Sequence, residues 1–160
     1  VNTPNISFKD AVAASSAAPM YFPTYQMKDK SWMIDGSIVT NNPTLIGYKY
    51  AKKILDNENI KIMSIGSGHN KKKIDGETST RWGGVGWLRN DIMGMMLDSE
   101  IHNEISKDMF SENYLRINSS MGKVNKFLDD DSEENLEKIH LMGMEWWSEF
   151  GDEAIKFVND

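Results

Sequence analysis

Cysteine is absent from these 160 residues, which excludes a disulfide framework and thiolate chemistry. Proline is scarce, and no apolar run approaches the ~20 residues that a membrane-spanning helix requires. Basic charge is also short: eighteen Lys and Arg against twenty-four Asp and Glu leave a net charge of −6. A nucleic-acid surface needs clustered cations, and the one basic cluster, Lys71-Lys72-Lys73, reads as a solvated loop. The three histidines, His69, His102 and His140, are far apart and show no metal-ligand spacing, so they read as ordinary surface or core residues. Gly83-Gly84-Val85-Gly86 lacks the Lys-Ser/Thr of a phosphate loop. No metal and no cofactor is expected.

What is present reads as one domain of ordinary size, without repeats or low-complexity runs. It begins on Val1 rather than Met, and the expectation is a piece processed or cut from a longer polypeptide, with any targeting segment out of view. Localisation stays open between cytoplasmic and peripheral to a membrane. Ser7 is placed to cap a small-faced, buried helix over Phe8–Ala18, which Pro19 and Pro23 stop. Trp32–Ile34 predicts a short strand and Pro43–Leu55 a helix. Ile60–Ile65 alternates as a strand and breaks at Gly66-Ser67-Gly68.

A polar loop from His69 to Gly86 is expected to be mobile and to border the site. Beyond it, apolar spacing predicts a long helix over Trp87–Lys107 and a strand at Tyr114–Ile117. The acidic run Asp129–Glu134 opens a last helix, with Asp131 as its cap and Leu136, Ile139, Gly143, Trp146, Trp147 and Phe150 as its buried stripe. That run lacks the spacing of a calcium loop, so capping is the preferred role. The eleven methionines and the Trp146-Trp147 pair could line an acyl-chain groove, although Met95, Met96 and both tryptophans lie on stripes that an amphipathic helix buries in any case. The fold class is α/β.

The segment Ile34-Asp35-Gly36-Ser37 sets one carboxylate at the end of an apolar run and follows it with glycine. Such a carboxylate stands at the strand's carboxyl edge, where open α/β sheets place ligands, and glycine allows close approach. Asp35 is the leading site residue.

Around it the order is Ala13-Ala14-Ser15-Ser16-Ala17-Ala18-Pro19-Met20-Tyr21-Phe22-Pro23, then Asp35-Gly36-Ser37 with Asn41-Asn42-Pro43, then Met63-Ser64-Ile65-Gly66-Ser67-Gly68. Asn113–Ile117 and Asp131–Asn135 follow. This series resembles the C-terminal half of the catalytic domain of patatin-like phospholipases, over nearly the whole chain. The resemblance implies a three-layer α/β/α domain, here with an incomplete sheet and flanking helices. It treats residues 1–160 as one partial domain, about 1–68 being the α/β part and about 87–160 the mainly helical part. It further implies a lipid acyl hydrolase with a Ser-Asp dyad, Asp35 being the dyad aspartate in a motif completed by Gly36 and Ser37. The usual third motif residue is Gly or Ala; Ser37 is still small and reads as a packing or turn residue rather than a nucleophile.

In that mechanism Asp35 accepts the proton of a serine hydroxyl attacking an ester, which needs a poorly solvated carboxylate. A nucleophile elbow, Gly-x-Ser-x-Gly, occurs nowhere in the chain. The expected partners are therefore a lipid ester substrate and an N-terminal half carrying the elbow, with membrane contact peripheral at most and no nucleic acid. Ser67 is a weaker alternative nucleophile, its neighbourhood reading first as a Gly-rich strand-end turn; a Ser67-His69 pair lacks an orienting acid. A different class of function remains: a non-catalytic truncated or split remnant that binds lipid or a partner chain. Without its serine, the isolated chain is expected to be inactive.

Overall fold

The computed structural model describes residues 6–55, 59–69, 74–90, 92, 94, 100–125 and 127–160. It divides into two compact units, Val1–Asn41 and Asn42–Asp160. Helices and short strands mix in both, as an α/β chain requires, and the sheets are small and incomplete.

In the first unit, helix α1 spans Phe8–Ser15, and the Ser7 hydroxyl accepts from the Asp10 amide at 3.1 Å. It stops three residues short of the expected Ala18. The Ser15 and Ser16 hydroxyls both turn back onto the Val12 carbonyl, competing with the backbone ladder, and Ala18 precedes a proline that disfavours helix. The expected buried helix is only partly so: Ala14 is buried, but Phe8 and Val12 are exposed. Strands β1 (Tyr25–Gln26) and β2 (Trp32–Met33) form an antiparallel hairpin pairing Tyr25 with Met33 and Gln26 with Trp32. The hairpin docks on α1 through the Tyr25 hydroxyl, which donates to Asp10 Oδ1 at 2.9 Å, and through the Lys28–Asp10 pair at 3.4 Å. The strand preceding Asp35 is thus one arm of a hairpin.

In the second unit, α2 spans Thr44–Leu55 and β3 spans Ile62–Ile65. β3 pairs in parallel with β4 (Tyr114–Ile117), Ser64 opposite Arg116 and Ile65 opposite Ile117. Parallel strands need a long crossover. The helices of that crossover include α3 (Gly76–Ser79), α4 (Gly84–Arg89) and α5 (Glu100–Phe110). The expected loop therefore contains a short helix, which Asp75 nucleates by accepting the Glu77 and Thr78 amides. The expected continuous helix over 87–107 breaks at Asn90, which caps α4 and donates its side-chain amide to the Gly86 carbonyl at 2.9 Å. Lys71-Lys72-Lys73, Met95 and Met96 lie outside the described residues.

A short 3-10 turn, Ser111–Asn113, leads from α5 into β4, where the buried Tyr114 donates to Asn103 Oδ1 at 3.2 Å. Phe110 packs against Tyr48 of α2 with its ring tilted by 56° and the ring centroids 4.6 Å apart. These contacts, with Leu115, form the apolar core of this unit.

Helix α6 spans Glu133–Asn159. Its cap is Ser132, whose hydroxyl accepts from the Asn135 amide at 3.3 Å, not Asp131. The boundary is set by the neighbouring carboxylate: Asp130 accepts the Ser132 amide, while Glu134 pairs forward with Lys138 at 2.6 Å and does not reach back. The expected buried stripe is half-buried at Trp146 and Phe150 but exposed at Leu136, Ile139, Gly143 and Trp147. A two-stranded sheet is too narrow to cover a helix of this length.

Candidate functional site

Asp35 leaves β2 after Ile34 with an extended backbone, φ −51° and ψ 129°. Its amide donates to the Ala17 carbonyl at 3.0 Å, which ties it to the turn after α1. That turn is tight. Pro19 and Met20 are its central residues, the Tyr21 amide returns to the Ala18 carbonyl at 3.2 Å, and Met20 takes a left-handed φ of 78° where glycine is the usual occupant. Ala17 is 4% exposed, so the anchoring carbonyl sits on a fixed, packed residue.

Beyond Asp35 the chain closes a 3-10 turn, Gly36–Ile38, which Asp35 caps by accepting the Ser37 amide on Oδ1 at 2.7 Å. The carboxylate is half-buried, less shielded than a base acting without histidine would require. Its other oxygen has no hydrogen-bond partner among the described residues. A methyl group at Gly36 would meet nothing beyond its chain neighbours within 4 Å, so the Gly36 position itself is open. Ser37 contributes its amide to the turn.

The second unit brings together residues that the sequence only places in order. Asn42 Oδ1 accepts both the Thr44 amide at 3.1 Å and the Thr44 hydroxyl at 2.6 Å, which starts α2 after Pro43. The Thr44 and Ser64 hydroxyl oxygens are 3.1 Å apart, and Arg116 Nη1 donates to Ser64 Oγ at 2.9 Å. Because the Thr44 proton is committed to Asn42, Ser64 is the donor to Thr44, and a one-way chain runs Arg116, Ser64, Thr44, Asn42. Asn42, Thr44 and Ser64 are all buried. Neither Thr44 nor Arg116 stands out in sequence as more than a helix start and a strand residue; the one available signal is a lone arginine inside a short apolar strand.

Gly66-Ser67-Gly68 is a strand-end turn. The Gly66 amide donates to the Ile117 carbonyl at 2.8 Å and the Gly68 amide to Asn118 Oδ1 at 2.9 Å, with Gly68 at φ 101°. Ser67 is exposed and meets no base among the described residues. His69 spends its backbone on Ser119 and Met121. The acidic run before α6 is used locally: the carboxylate of Asp130 is held below its ordinary pKa by hydrogen bonds from Ser132 first and then Asn125. Among the described residues no cluster of His, Asp or Glu is arranged to hold a metal ion, and no helix is long and apolar enough to cross a membrane.

Residues 2–48 match the family described as patatin-like phospholipase, a span that contains the Ala17 turn, Asp35, Gly36 and the Asn42 cap. These residues carry the chain's similarity to the patatin-like phospholipases. Similarity extends beyond them to patatin-like protein 4 of Arabidopsis thaliana, 28% identical over 173 residues that take in 87% of this chain and 43% of that protein. Calcium-independent phospholipase A2-gamma of Mus musculus is 30% identical over 149 residues, 92% of this chain and 19% of that protein. Patatin-2-Kuras 2 of Solanum tuberosum is 26% identical over 166 residues, 84% of this chain and 43% of that protein. The chain spans less than half the length of each of these relatives.

Proposed function

We propose that this patatin-like chain supplies the proton-accepting aspartate of a Ser-Asp dyad in a lipid acyl hydrolase, with Asp35 as the base and the serine on residues outside these 160. The observation that carries this reading is the division of labour within one carboxylate. Oδ1 is occupied by the Ser37 amide at 2.7 Å and Oδ2 is left without a partner among the described residues.

A base of this kind takes the hydroxyl proton onto Oδ2 as the serine oxygen bonds to the ester carbonyl carbon. When the tetrahedral adduct collapses, the C–O bond to the alcohol breaks and the carboxyl returns the proton to that oxygen. Water then cleaves the acyl-enzyme by the same exchange, with Asp35 again the base. Ser37 and the Ala17 carbonyl hold the carboxylate still while its charge changes. The relatives' names point to phospholipid or related glycerolipid esters as the substrate class.

In this reading residues 1–160 are one part of a larger α/β domain, whose remainder brings the nucleophile turn, its helix, oxyanion donors and further strands. Two-stranded sheets are marginal alone, and exposed Trp32, Ile65 and Trp147 offer apolar surface for the remainder to cover. The same surface favours a second reading, a non-catalytic module that binds lipid or a partner chain. The polypeptide carrying both parts separates the two. Asp35→Asn keeps the Oδ1 acceptor and the volume, and is expected to lower ester turnover by about 10²–10⁴-fold with an unchanged circular dichroism spectrum. Wild-type turnover in a folded Asp35→Asn protein refutes the dyad assignment.

A further inference from the structure

A groove of about 570 Å³ lies between α2 and α5, lined by Leu45, Tyr48, Lys49, Lys52, Lys53 and Met109. Its floor is apolar, made of Leu45, the Tyr48 ring and the Met109 side chain, with Tyr48 braced from beneath by Phe110. Its rim is cationic. Lys49, Lys52 and Lys53 follow one another at helical spacing, all three are exposed, and none pairs with a carboxylate among the described residues. The Lys52 ammonium lies 5.9 Å from the centre of the Tyr48 ring, over the floor itself.

The groove is open to solvent and has the two parts of an amphiphile site, an apolar floor and a cationic rim, and it is too small a patch for a stable protein interface. We propose that it binds a fatty carboxylate, the acyl chain lying on Leu45, Tyr48 and Met109 and the carboxylate meeting Lys49, Lys52 and Lys53. The site uses second-unit residues only and does not depend on the role of Asp35.

Calorimetric titration of the full chain with sodium hexadecanoate, below the concentration at which it self-associates, tests this. One equivalent is expected to bind, and the triple variant Lys49→Gln/Lys52→Gln/Lys53→Gln is expected to bind about tenfold more weakly, the loss of a charge-assisted hydrogen bond. Hexadecan-1-ol is expected to bind the wild type and the triple variant alike. Met109→Gln, at a residue 58% exposed and so without consequence for folding, is expected to weaken both ligands. Equal hexadecanoate affinity in the triple variant overturns the proposal. So does association only with vesicles of phosphatidylcholine and phosphatidylglycerol, or only with an acidic amphipathic peptide, while monomeric hexadecanoate is ignored.

Discussion

The Asp35 amide donates to the Ala17 carbonyl at 3.0 Å, so the proposed base is positioned by the turn that ends α1 and not by a sheet neighbour. Under that proposal Ala17 is a positioning residue whose side chain need not approach substrate.

Enlarging Ala17 should act at a distance. Ala17→Leu adds three carbons at a packed site, for an expected loss of about 1–3 kcal/mol of stability. It also displaces the carboxylate, and a shift of about 1 Å is enough to lower kcat roughly 10²-fold. In the polypeptide with both dyad members, kcat is expected to fall with KM little changed, while Ala17→Gly retains most activity. Steady-state kinetics beside urea unfolding distinguish the two effects.

The buried chain from Arg116 to Asn42 should behave as a unit. Ser64→Ala removes the link that both Arg116 and Thr44 use, with an expected cost of about 1–3 kcal/mol. Thr44→Val should cost a similar amount, and the double variant less than the sum, with a coupling of about 0.5–3 kcal/mol. Denaturant unfolding of the four proteins measures it; strict additivity would show that the two hydroxyls act independently.

Asn135, 3% exposed, accepts the Asn125 amide at 2.8 Å and donates to the Asp130 carbonyl at 2.9 Å. Asn135→Asp turns that donor into a second oxygen facing a carbonyl. At neutral pH the expected loss is about 2 kcal/mol or more, and it should shrink on acidification as the buried carboxyl takes up a proton and donates again. Thermal unfolding across the acid range reads this, and a pH-independent loss would contradict it.

In the first unit the carboxyl of Asp10 is held below its ordinary range by hydrogen bonds from Ser7, Tyr25 and Lys28, in that order, against the opposing effect of burial. Its stabilisation is complete above the unfolded-state value and is lost as pH falls through the lowered folded value. The same contact raises the phenol of Tyr25, chiefly through its hydrogen bond to Asp10, so that contribution is present below the ordinary phenol range and lost as pH rises through the raised value. Tyr25→Phe is expected to move Asp10 back up, and Asp10→Asn to move Tyr25 back down. Carboxyl carbon NMR and phenolate absorbance follow the two titrations.

Sequence reading succeeded where one local interaction decides the outcome. Ser7 caps α1, Pro43 opens α2, and Gly66-Ser67-Gly68 ends β3, because a cap, a ring and a missing Cβ act on their immediate neighbours. It erred where two local devices compete. Ser15 and Ser16 shorten α1, Asn90 divides the expected long helix, and Asp130 hands the cap of α6 to Ser132. It also gave the stripe of α6 more cover than β4 provides, since periodicity reports an apolar face but not what lies against it. The proposal for Asp35 starts from the Asp-Gly step in the sequence, whereas the Arg116 chain is a matter of register. Only pairing Ser64 with Arg116 reveals it.

The Ser64–Arg116 bond joins residues 52 positions apart, whereas the Tyr25–Asp10 bond spans only 15. Loop closure of that length must be completed before β3 and β4 can find their register, so the two units differ in contact order and should differ in folding speed. The hairpin and α1 can form early from near neighbours. β3 must meanwhile hold an unpaired edge until β4 arrives, and during that interval the emerging chain is most exposed to misassociation.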